Sequence, residues 1–161
     1  MTAIHQYKYG GKSHLAETLG PLLATFSRNW LIHLNAPLVM PIPLHPGRLR
    51  GRGFNQSLLL ARFVVKALDA ELDFLTLRRI RYTKPQTGLK SDERRKNVRR
   101  AFGVVDGKAV KGRNVILVDD VATTGNTLNE CARVLKRAGA GKVFGLVLAR
   151  TGDNKTLLGK A

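Results

Sequence analysis

A chain of 161 residues, 43% of them hydrophobic, is long enough for one domain with a real core and too short for two of ordinary size. Its 28 Lys and Arg against 11 Asp and Glu give a formal charge of +17, beyond what solubility requires, so polyanions such as nucleic acid, acidic lipid or phosphorylated metabolites are the expected partners. The single cysteine, Cys131, excludes a disulfide framework or multi-cysteine zinc site built from this chain alone, and no apolar run approaches the ~20 residues of a membrane span, so a reducing, cytoplasmic setting is expected.

Apolar residues recur at helical spacing over residues 15–34, with Pro21 marking a break or a helix start. The proline-punctuated apolar run at 38–43 predicts a strand that leads directly into a loop, and residues 45–53 read as that loop. Asn55 can cap a helix whose buried face carries Leu58, Leu59, Phe63, Val64 and Leu68, with Arg62, Lys66 and Asp69 opposite. Residues 74–80 predict a strand, and residues 81–89, with Pro85 and Gly88, an excursion of the backbone. Ser91 can cap a short basic helix through Arg100, followed by a strand at 102–105 and a turn at 106–108.

Val115-Ile116-Leu117-Val118 predicts a central buried strand, residues 127–138 a helix with Leu128, Cys131, Val134 and Leu135 inward, and residues 142–148 the last strand. Gly139 is placed to end that helix. Strands alternating with helices imply a single α/β domain with a mostly parallel sheet covered on both faces.

The most specific stretch runs Asp119-Asp120-Val121-Ala122-Thr123-Thr124-Gly125-Asn126-Thr127 from the central strand into the helix. Two adjacent carboxylates at a strand end can accept hydrogen bonds from vicinal hydroxyls, and backbone N–H groups at the helix start favour an anion, with Gly125 allowing close approach. These parts suit a ribose 5-phosphate. Two plainer readings stand beside it: an acid pair kept for helix capping, and a Walker-B-like metal site. The second lacks its phosphate loop, because Gly11-Lys12-Ser13 resembles only that motif's tail.

The stretch resembles the signature with which type I phosphoribosyltransferases bind phosphoribosyl pyrophosphate (PRPP), save that Ala122 stands where a larger aliphatic is common. Pro41-Ile42-Pro43-Leu44-His45-Pro46, then Arg48, Arg50 and Arg52-Gly53-Phe54-Asn55-Gln56, resemble the ComF competence family, including ComFC and GntX-like proteins. So do Thr83, Gln86 and Leu89 followed by Arg94, Asn97-Val98 and Ala101-Phe102. The resemblance implies a type I phosphoribosyltransferase-like fold and PRPP bound with Mg²⁺, with no metal ion held directly by the protein. Relatives of this kind often carry an amino-terminal zinc module; this sequence has no such cysteines and begins roughly where that module would finish, so either the start is shortened or this member works without zinc, and no zinc is expected in this chain.

The resemblance further implies a pyrophosphate loop at 44–52, with His45, Arg48, Arg50 and Arg52 as its candidates, and a closing loop at 81–90 in which Lys84 and Lys90 reach the ligand. Cations there would stabilise charge developing on departing pyrophosphate, which makes Arg48 and Lys84 the catalytic candidates. Ten basic residues crowd the span from Arg78 to Arg100 against Asp92 and Glu93. Arg94, Arg95, Lys96, Arg99 and Arg100 could track a single-stranded or duplex DNA backbone, although only Tyr82 and Phe102 offer nearby stacking rings. Two functions are expected from this reading. One is a PRPP-binding transferase linked to competence and DNA uptake; the other is a non-catalytic DNA-binding or PRPP-sensing platform, partnered with other DNA-uptake proteins.

Overall fold

In the computed structural model, residues 15–83 and 91–150 are described. Helix α1 (Leu15–Leu31) leads to β1 (Leu38–Pro41), the short helix α2 (Pro46–Arg52), α3 (Gln56–Leu68) and β2 (Glu71–Leu72). Then follow β3 (Leu77–Arg79), α4 (Ser91–Val98), β4 (Phe102–Val104), a 3-10 turn (Lys108–Val110), β5 (Val115–Ala122), α5 (Asn126–Arg137) and β6 (Val143–Arg150).

The main sheet runs β2-β1-β5-β6, every pair parallel, while β3 and β4 form a separate antiparallel pair. Side chains alternate across this sheet as the two-residue period of a strand requires. Leu38, Met40, Val115 and Leu117 point to one face, where Cys131 and Leu135 of α5 meet Leu77, Val98 and Phe102. Val39, Ile116 and Val118 point to the other, under Leu60, Ala61 and Val64 of α3 and Ala16 and Leu23 of α1. Both faces are therefore covered, as expected of a parallel sheet.

Helices α1 and α3 approach closely because Gly20 has no side chain: a Cβ there would stand 2.3 Å from the Phe63 ring. The buried face of α3 is rotated relative to the sequence expectation. Leu60, Ala61, Val64 and Leu68 are buried with Gln56 and Ser57, while Leu58, Leu59 and Phe63 are only half-buried. Pro21 interrupts nothing, since α1 runs through it.

Other boundaries move for identifiable reasons. Residues 45–53 are not a loop: Pro46 starts a seven-residue helix, His45 caps it, and Gly53 ends it at φ +81°. The strand expected at 74–80 shrinks to three residues, because Asp73 Oδ1 accepts from the N–H groups of Leu75 and Thr76 and holds that stretch in a turn. In α5, Cys131 and Leu135 are buried as expected, Leu128 and Val134 half-buried, and Glu130 is buried too. Gly139, at φ +94°, follows its end.

Candidate phosphate-binding site

Strand β5 keeps β6 beside it as far as Ala122 opposite Arg150, but β1 leaves it at Pro41 opposite Val118. The chain order of the sheet reverses between β1 and β5, so Asp119 and Asp120 sit at the crevice where such sheets bind ligands. They are still part of the strand rather than beyond it.

Both acids are oriented by short local bonds. Asp119 Oδ1 accepts from Ser57 Oγ at 3.0 Å and from the Asp120 N–H at 2.9 Å, and Asp120 Oδ1 accepts from the Val121 N–H at 2.8 Å. Ser57 is placed by Asn55, whose Oδ1 caps it at 3.1 Å while Nδ2 donates to the Ile42 carbonyl at 3.1 Å. The end of β1, the start of α3 and the acid on β5 are thus joined through two small polar residues.

Beyond the acids the chain turns through Gly125, at φ +72°, into α5. Gly125, the N-cap of this helix, has no side chain to cap it, whereas His45 Nδ1 accepts from the Gly47 N–H to cap α2, and Asn55 caps α3. Asp119, Val121, Ala122, Thr123, Gly125, Asn126, Thr127 and Leu128 line a cup of about 20 Å³ at this helix start, room for a water or one phosphate oxygen. Thr124 faces a neighbouring cleft of about 310 Å³ with Asn129 and Arg150, and its buried Oγ1 has no hydrogen-bond partner.

The expected pyrophosphate cations are carried on a short helix and not on a loop, with Arg48 and Arg52 four residues apart on one face of it. Arg48 Nη2 donates to the Thr83 carbonyl at 2.7 Å, and its guanidinium lies 5.9 Å from the Tyr82 ring centroid. His45 meets the same ring edge-on at 5.1 Å. Arg52 Nη1 donates to Gln56 Oε1 at 2.9 Å, and Arg50 is exposed on another side of the helix.

Lys84, with most of the segment expected to close, lies outside the described residues, as do the side chains of Arg94 and Arg95. Lys96, Arg99 and Arg100 are exposed, whereas Phe102 is buried and offers no stacking face. Arg81 Nη2 donates to the carbonyls of Asn97 and Arg99, both at 2.8 Å, at the end of α4.

Sequence reasoning passed over Arg79. It is 8% exposed, lies 5.1 Å from the ring centroid of its cross-strand partner Phe102, and donates from Nη2 to Thr83 Oγ1, while its Nε has no partner. Burial and the nearby Arg48 charge lower its pKa to about 10, against the opposing pull of Asp119. Only the alternation of β3, with Leu77 and Arg79 inward and Arg78 outward, could have marked it.

A family model described as a phosphoribosyl transferase domain matches residues 55–156, from the Asn55 cap through the cup to beyond β6. The chain belongs to this family. The resemblance to ComF-type competence proteins is borne out as well. The DNA utilization protein YhgH of Escherichia coli is 36% identical over 151 residues, covering 92% of this chain and 66% of the relative. Competence protein F of Haemophilus influenzae is 34% identical over 151 residues, covering 91% and 66%. The chain thus spans 66% of the length of these relatives.

Among solved structures, the glutamine PRPP amidotransferase from B. subtilis superposes with a TM-score of 0.54 at 24% identity, over 83% of this chain and 26% of that one. A hypoxanthine phosphoribosyl transferase of Trypanosoma cruzi does so at 0.53 and 12%, over 88% and 76%. These likenesses establish the type I phosphoribosyltransferase-like fold. Among the described residues no helix is long and apolar enough to cross a membrane.

Proposed function

We propose that the chain binds PRPP with Mg²⁺, an oxygen of the 5-phosphate entering the cup before α5 and the ribose hydroxyls on Asp119 and Asp120. The observation that carries this reading is the start of α5. A twelve-residue helix begins at a glycine with no side-chain cap, its first turn opening into a cup beside two oriented carboxylates. A helix start left without a side-chain cap favours a phosphate through its dipole and its N–H groups. Mg²⁺ would arrive on the diphosphate and neutralise part of its charge; this fits a site in which the acids already serve backbone and hydroxyl donors.

Transfer would break the bond between the anomeric carbon and the pyrophosphate oxygen as an acceptor nucleophile bonds to that carbon, the electron pair leaving with pyrophosphate. Arg48 and Lys84 are proposed as the cations that meet that group. The experiment is thermal denaturation with and without PRPP and Mg²⁺. At a hundredfold excess over Kd the melting temperature should rise by roughly 5–10 °C, and Asp119→Asn with Asp120→Asn should abolish the rise. Equal stabilisation of the folded double variant would overturn the assignment.

A second reading is that exposed Lys96, Arg99 and Arg100, with the rest of the basic excess, hold a nucleic-acid backbone. A non-catalytic platform for DNA, serving other DNA-uptake proteins, would need this surface and not the cup. Its support is the net charge of +17 together with the name borne by the Escherichia coli relative, a DNA utilization protein.

A further inference from the structure

Two arginines from different elements close on one threonine. Arg48, on α2, takes the carbonyl of Thr83, and Arg79, on β3, takes its hydroxyl. Among the described residues neither guanidinium has an ion pair. Burying a cation without a carboxylate is costly, and holding a second cation near it adds repulsion. The Phe102 ring offers the Arg79 charge a cation–π contact but no counter-ion, and a long apolar side chain would fill the same place. Asp119, which lines the cup, acts on Arg79 electrostatically.

We propose that Arg79 is a positioning residue for a diphosphate site at Arg48: it fixes Thr83, whose carbonyl aims Arg48, and it adds a buried positive charge that Asp119 offsets in part and a bound polyanion would offset further. This rests on the reading of the chain as a PRPP-binding protein and extends it to a residue that need not touch the ligand. The two cations would share one ligand, with Arg48 making the contact and Arg79 raising the local potential from behind. Folding stability is then given up for binding, since the cost of the buried charge is present wherever Arg79 is protonated, below about pH 10. A merely structural arginine would behave in the opposite way, and its removal would unfold the hood formed by β3 and β4.

The test is calorimetric binding of inorganic pyrophosphate with Mg²⁺, and separately of ribose 5-phosphate, to the full chain and to Arg79→Met and Arg79→Lys. Arg79→Met should melt at or above the wild-type temperature without ligand, bind ribose 5-phosphate unchanged, and bind pyrophosphate at least tenfold more weakly. Arg79→Lys keeps a charge that burial makes easier to lose, so its pyrophosphate affinity relative to wild type should fall between pH 7 and 9. Unchanged pyrophosphate affinity in Arg79→Met, with ribose 5-phosphate still bound, would overturn the role of Arg79 and leave the PRPP reading standing. Equal loss of both ligands with a lowered melting temperature would make the residue structural and overturn the proposal. If Arg79→Met does not fold, a flat pH ratio for Arg79→Lys overturns it. Failure of the wild type to bind either ligand would overturn the PRPP reading and this proposal with it.

Discussion

Gly125 is the residue on which the cup turns. Its φ of +72° is open to glycine and costs an L-residue about 1–2 kcal/mol, while the space around an added methyl group is adequate, with Asn129 Nδ2 the nearest atom at 3.9 Å. Strain and not collision therefore governs Gly125→Ala. The variant should melt roughly 2–8 °C lower. Gly53→Ala serves as control, since Gly53 has φ +81° and nothing within 4 Å of an added Cβ. Calorimetry should find PRPP affinity reduced in Gly125→Ala and kept in Gly53→Ala; equal affinities would separate the cup from the ligand. That Gly125 mattered was legible from the acids, hydroxyls and helix around it. That Ser57 would hold Asp119 was not, because the two lie 62 positions apart and neither carries a local signal of the other.

At the scale of elements, the basic helix α4 is fastened to α5 by Glu130. This carboxylate takes two bonds from Arg133, at 2.6 and 2.9 Å, and one from the Arg100 N–H at 2.7 Å, where Arg100 sits at φ +56°. The Arg133 hydrogen bond, aided by the Arg100 N–H, holds the Glu130 pKa below its ordinary value. A depressed carboxylate contributes stability that is complete above its unfolded pKa, near 4.3, and is lost as pH falls through the lower folded value. Glu130→Gln should thus cost on the order of 1–2 kcal/mol at pH 7, and the gap from wild type should close in melts below about pH 4. The alternation of strands and helices, the central run of β5 and the helix after it could be read from periodicity. The partition into two sheets could not: β2 has only two residues, and β3 differs from a main-sheet strand solely in its partner. Likewise the residues of α2 looked like loop because a seven-residue helix with Pro46, Gly47 and Gly51 carries no apolar stripe.

Over the whole molecule, the net charge of +17 rather than any one contact is expected to govern any behaviour toward nucleic acid. Exposed Lys96, Arg99 and Arg100 should bind DNA weakly, with affinity falling steeply as salt rises, because most of such binding comes from counterion release. Replacing Arg94, Arg95, Arg99 and Arg100 with Gln should flatten the plot of log affinity against log salt in a titration of duplex or single-stranded DNA. No binding at low salt would remove the platform reading. The bond between Ser57 and Asp119 has a consequence in time. It spans 62 positions, and closing so long a loop is an entropic cost met before the parallel pairing of β1 with β5 rewards it. The stretch from α1 to β2 leaves the ribosome with Val39 and Leu60 still lacking the Ile116 and Val118 that cover them. Local helices can form early in that interval, but Ser57 can orient Asp119 at the edge of the cup only when β5 slides in beside β1, so the site as described is completed in the last chapter of folding.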